Sequence, residues 1–187
     1  MVNIGRFSSS RIFLIGYMAS GKSTIGRSLA AALNFDFLDT DQAIAKLKGE
    51  SVEELFRTKG ESYFRQEEHK ILNLTSSLDK IIIATGGGMP IHNDNMQTML
   101  FSGLTIFLET EIEVLEGRLR QTSIRPLHQS SKNLPSEIAE RYNKRYPQYR
   151  EAHLVITNNG TVDETTQLIL QKLNRVNQIG PLKSSED

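Results

Sequence analysis

Residues 16–24 read Gly16-Tyr-Met-Ala-Ser-Gly21-Lys22-Ser23-Thr24, a G-x-x-x-x-G-K-[ST] spacing. Gly16 and Gly21 let a short loop turn several backbone N–H groups toward one point. A nucleotide polyphosphate is the ligand whose dense negative charge suits that geometry. Ala19, Ser20, Gly21, Lys22, Ser23 and Thr24 then line the phosphates. The Lys22 ammonium reaches the outer phosphates, and the Ser23 hydroxyl ligates Mg²⁺. The flanks have the form this chemistry needs: an apolar run, Arg11–Ile15, ahead of the loop and an Ala/Leu-rich helical run, Thr24–Leu33, behind it. The helix adds the positive end of its dipole.

A second set of polar residues could act on whatever the phosphates are transferred to. Asp39-Thr-Asp41 follows a short strand-like run. In extended chain residues two apart project to one side, so both carboxylates are expected to face the crevice at the carboxyl ends of the strands. Asp39 would hold Mg²⁺ through its water shell, and Asp41 would take the proton of an acceptor hydroxyl. The alternative for either is capping the helix that opens at Gln42. Thr85-Gly86-Gly87-Gly88 ends another strand with no metal-directed Asp, and the glycines would let a ligand press on bare backbone. Arg65 and Glu68 share a helix face at i, i+3. Arg125 precedes Pro126 in a polar loop, and Arg145 lies near the end of a polar helix. Guanidinium forks suit a carboxylate, so arginines beside a hydroxyl-directed Asp suit a small hydroxy-acid. Phe56 and Phe64 read as core that can also wall a pocket. The four histidines show no metal-ligand spacing.

Positioning these groups falls to five short strands, at 11–15, 36–38, 81–85, 104–108 and 154–157, alternating with helices. That pattern predicts an α/β fold with a parallel sheet covered by helices. The connection over 42–80 carries helix punctuation: Gly49, a Ser51-Val-Glu-Glu54 capping box and Gly60. It predicts a substrate-binding helical insertion over about 42–76. Residues 121–136, with two prolines and five hydroxyl residues, predict a mobile lid. Thr161-Val-Asp-Glu164 opens a last helix to about Val176, and 178–187 read as a tail.

The chain has 187 residues, 38% of them hydrophobic, a formal net charge of zero and no cysteine. One domain with a real core is expected. The charge balance argues against a nucleic-acid or membrane-surface binder, and disulfides and thiolate metal sites are excluded. No apolar run approaches bilayer length, and residues 1–10 lack the apolar core of a signal peptide. A cytoplasmic protein with access to ATP is expected.

The ordered set Gly16–Thr24, Leu38-Asp-Thr-Asp41, Phe64-Arg65, Gly86-Gly87-Gly88, Arg125-Pro126-Leu127 and Arg145-Tyr-Pro-Gln-Tyr149 resembles the shikimate kinases over about residues 10–175. The resemblance implies a P-loop kinase fold, a five-stranded parallel sheet in order 2-3-1-4-5 with a substrate-binding insertion and a lid. It implies a monomer that transfers a phosphoryl group from ATP to the 3-hydroxyl of shikimate, on the route to chorismate and the aromatic amino acids. Asp41, Arg65, Gly87 and Arg145 would hold shikimate, with both arginines on its carboxylate. Lys22, Ser23 and Asp39 would serve the phosphates and Mg²⁺, Arg125 would close over the phosphates, and Arg118 would stack on adenine, with Arg120 competing for that role. The chain departs from the family in two places. Asn158-Asn159-Gly160 stands where a basic residue is common, and the lid is Ser- and Asn-rich rather than Gly-rich.

Overall fold

The computed structural model describes residues 11–121 and 134–178. Five strands, β1 (Arg11–Ile15), β2 (Asp36–Asp39), β3 (Ile81–Ala84), β4 (Leu104–Glu109) and β5 (Leu154–Thr157), form one sheet in the order β2-β3-β1-β4-β5. Every neighbouring pair is parallel. The helices are α1 (Lys22–Leu33), α2 (Thr40–Lys48), α3 (Val52–Leu74), α4 (Asn95–Ser102), α5 (Ile112–Gln121), α6 (Leu134–Tyr149) and α7 (Val162–Gln178).

Strand alternation divides the core between the two faces of the sheet. Phe13 and Ile15 of β1 join Ile44, Leu55, Phe64, Phe107 and Tyr149 on one face. Ile12 and Leu14 join Ile25, Leu29, Ile106, Ile169 and Leu173 on the other. The insertion α2–α3 therefore shares the sheet's own core. Because all strands run the same way, their carboxyl ends lie along one edge, where open α/β sheets bind ligands.

The helix punctuation acts as the residues predict. Gly49 ends α2 at φ 68°. Ser51 and Glu54 form a reciprocal capping box, as do Thr161 and Glu164. Gly60, at φ 82° and ψ 169°, interrupts α3. The boundaries shift slightly. β2 continues to Asp39, β3 stops at Ala84, and α2 starts at Thr40 rather than Gln42, because Asp39 is the extended residue whose side chain caps the helix. A single helical turn, Thr75–Ser77, replaces the last residues expected of α3.

Candidate active site

The phosphate-binding loop is built from backbone that favours glycine. Gly16 and Gly21 take φ of 144° and 88°, and a Cβ on Gly16 would stand 2.9 Å from the carbonyl oxygen of Leu108. Ala19 also takes a positive φ, 62°. No side chain caps the start of α1, so its first N–H groups are left for an anion. The Lys22 Nζ donates to the Gly16 and Tyr17 carbonyls at 2.9 and 2.8 Å. Burial pulls its ammonium down to about 8, against the opposing pull of Asp41 and Asp39. The loop is braced from behind. Asn158 donates its amide to the Ser20 carbonyl and accepts from Thr165 Oγ1 at 3.0 Å. Arg118 reaches the Ala19 carbonyl at 3.4 Å, whereas Arg120 is largely exposed and leans toward Glu116.

Asp39 and Asp41 do not share an extended segment, as the spacing alone suggests. The strand ends at Asp39 and the helix begins at Thr40, so Asp41 sits in a first helical turn. The two carboxylates take distinct positions. Asp39 accepts the Ser23 hydroxyl on Oδ2 at 2.5 Å and caps Gln42 N–H with Oδ1 at 3.1 Å. It is both helix cap and partner of the loop. Asp41 is left free of capping. Its Oδ1 is buried with no hydrogen-bond partner. Burial, reinforced by the charge of Asp39, pushes its carboxyl up to about 6. Between them Thr40 turns inward and accepts Gly86 N–H at 2.9 Å, a contact with no signal in the sequence.

Of the three glycines after β3, Gly86 and Gly88 are crowded by side chains, whereas a Cβ on Gly87 would face the backbone of residues 16–18, 3.2 Å from Met18 N at the nearest. None takes a positive φ. A Cβ on Gly86 would collide with Glu68 Oε1 and Asp41 Oδ1. One on Gly88 would lie 2.5 Å from the Arg65 Cζ. The bare backbone at Gly86 and Gly88 thus accommodates this chain's own charged groups. Arg65 is held on both sides, by Glu68 Oε2 at 2.6 Å and Glu61 Oε1 at 2.9 Å, with its guanidinium near the rings of Phe56 and Phe64. Glu68 is completely buried and its Oε1 lacks a partner. Burial pushes its carboxyl up to about 7, with Arg65 opposing and Asp41 adding to the rise.

From the opposite side α6 brings Arg145 to the Gly87 carbonyl at 3.4 Å and over the ring of Tyr17. Tyr149 donates to the same carbonyl at 2.5 Å. Two guanidiniums, from α3 and α6, therefore meet at consecutive glycines, beside the carboxylate of Asp41 and across from the loop that holds Lys22. Arg125 and most of the expected lid lie outside the described residues.

Such an edge can hold a polyphosphate on the loop, a carboxylate between the arginines and a hydroxyl at Asp41. Ser23 Oγ and Asp39 Oδ2 place two hard oxygen donors together, which fits Mg²⁺, a cation that takes few protein oxygens and keeps several waters. Among the described residues no cluster of three or more His, Cys, Asp or Glu is placed to hold a metal.

The chain is similar to known proteins over most of its length. The profile of the shikimate kinase family matches residues 18–174. The shikimate kinase of Persephonella marina is 38% identical over 149 residues, which is 80% of this chain and 89% of that protein. The crystal structure of shikimate kinase from Bacteroides thetaiotaomicron superposes with a TM-score of 0.85 at 34% identity, covering 89% of this chain and 99% of that one. Shikimate kinase from Acinetobacter baumannii, solved in complex with shikimate, gives a TM-score of 0.83 at 34% identity over 89% and 93% of the two chains.

Proposed function

The chain belongs to the shikimate kinase family, and we propose the following division of labour for its reaction, transfer of a phosphoryl group from ATP to the 3-hydroxyl of shikimate. ATP lies on the loop from Gly16 to Thr24, and Arg118 faces its adenine. Shikimate lies beneath the insertion, its carboxylate between Arg65 and Arg145 and its ring beside Gly87. The hydroxyl oxygen attacks the γ-phosphorus, the bond to ADP breaks, and the hydroxyl proton passes to Asp41. Lys22 offsets charge on the moving group. Ser23 and Asp39 would hold Mg²⁺, which when bound neutralises charge on the phosphate oxygens. Positioning and charge stabilisation supply most of the rate. Arg125 is assigned to the phosphates on the family resemblance alone. A cytoplasmic monomer completes the reading. No helix among the described residues is long and apolar enough to cross a membrane.

One observation carries the assignment: the unpartnered Asp41 Oδ1 lies against the same glycine turn that receives both guanidiniums. A coupled ADP-release assay offering shikimate, gluconate and nucleoside monophosphates tests it. Turnover with shikimate alone is expected; turnover of another acceptor without shikimate would overturn it.

A further inference from the structure

Tyr149 is the last residue of α6, one helical turn after Arg145, so the two side chains share a face. It is completely buried. Its ring lies 5.1 Å from that of Phe107 on β4, which fixes where the hydroxyl points. That hydroxyl donates to the Gly87 carbonyl at 2.5 Å, and Arg145 Nη1 approaches the same oxygen at 3.4 Å. A carbonyl has two lone pairs and can accept both, but the arginine contact is near the limit of a hydrogen bond and the tyrosine contact is not. Burial holds the phenol far above its usual titration range, so the donor persists at any pH where the enzyme works.

This arrangement matters when a carboxylate arrives. When Arg145 turns its N–H groups to the ligand, the long Nη1 contact to Gly87 is the one it gives up. Gly87 is half-buried, and a ligand bound over it closes water off from its carbonyl; left without a donor there, the oxygen costs more than a typical hydrogen bond returns. With Tyr149 in place the oxygen stays satisfied and Arg145 leaves without that penalty. We propose that Tyr149 is a positioning residue for the carboxylate end of the shikimate site, holding the Gly87 carbonyl so that Arg145 is released to the substrate. The proposal rests on the assignment of Arg145 and Gly87 to shikimate made above.

Tyr149→Phe removes the hydroxyl and keeps the packed ring. In this variant Arg145 becomes the side-chain donor to Gly87, and shikimate must compete for it. The shikimate KM and the calorimetric Kd are expected to rise about tenfold, while kcat and the ATP KM stay within about threefold, a split that general loosening of the site would not give. Arg145→Ala and the double variant complete a cycle. In the Arg145→Ala background the Tyr149→Phe effect on the shikimate Kd is expected to vanish. An unchanged shikimate Kd in Tyr149→Phe, an equal rise in both KM values, or an effect that persists undiminished without Arg145 would each overturn the proposal. If Arg145→Ala by itself left shikimate binding intact, the site assignment would fail instead, so the two failures are separable.

Discussion

Asp41 illustrates how residues of one type, two positions apart, come to do different work. Asp39 spends both oxygens on structure, one on Ser23 and one on the Gln42 N–H. Asp41 keeps a buried oxygen without a partner, which is the state a base needs. Asp41→Asn keeps the shape and removes the basicity. It is expected to lower kcat by about a hundredfold or more while the Kd for ADP stays within about threefold; near-normal turnover would exclude Asp41 as the base. The same group sets a pH dependence. A carboxyl raised to about 6 takes up its proton as pH falls through that value, and a protonated base cannot accept another. Glu68, raised to about 7, adds to the same limb, because protonation weakens its hold on Arg65. kcat/KM for shikimate is therefore expected to fall as pH drops from about 7 to 6 and below. A profile still flat at pH 5 would contradict both assignments.

At the scale of elements, two glycines make opposite predictions although each lacks room for a methyl group. Gly88 faces the guanidinium of Arg65, the movable end of a long side chain. Gly88→Ala is expected to push that guanidinium aside, raising the shikimate KM at least tenfold while leaving Tm within a few degrees. Gly26 lies in α1 where a Cβ would stand 2.6 Å from a ring atom of Phe37 and 3.3 Å from Leu14. Leu14 is completely buried, and the half-buried ring of Phe37 carries the Arg27 guanidinium 4.6 Å from its centre, so neither yields freely. Gly26→Ala is expected to cost about 1–3 kcal/mol through overpacking, only partly offset by helix propensity, and to leave both KM values unchanged. Thermal melts and steady-state kinetics on the pair separate the two kinds of glycine; the reverse pattern would show that the site and the core had been confused.

The molecule as a whole places the segments that follow its strands at one edge because every strand is parallel. The loop after β1, the turn from β2 into α2, the glycines after β3 and the Asn158 turn after β5 all leave the sheet in the same direction. A nucleotide on the loop would therefore contact surfaces held by the central core, and its binding is expected to report on global stability. With Mg²⁺ present, ADP at a hundred times its Kd is expected to add about 2.7 kcal/mol, or roughly 5–10 °C in Tm for a chain of this size. Lys22→Ala should remove most of that gain. An unchanged Tm for the wild-type protein with saturating nucleotide would show that the loop does not bind it.

The fold was legible because its signals are local: strand runs, capping boxes, the glycines that end helices, and a contiguous phosphate loop whose backbone geometry is written in nine successive residues. Contiguity also made Lys22 and Ser23 readable without a structure. Arg65 and Arg145 are different. Each alone reads as an ordinary charged residue on a polar helix, and the resemblance to a family was what linked them. Their convergence at Gly87 and Gly88 depends on how α3 and α6 pack on the same face of the sheet, against the turn Met89–Ile91, a long-range arrangement that no local pattern encodes. Packing also decided which aspartate caps and which stays free, that Glu68 is buried beside Asp41, that Asn158 braces the loop, and that Tyr149 holds a carbonyl next to Arg145. Residue type and spacing set which chemistry was available; burial and proximity, which only the folded chain creates, set which groups would carry it.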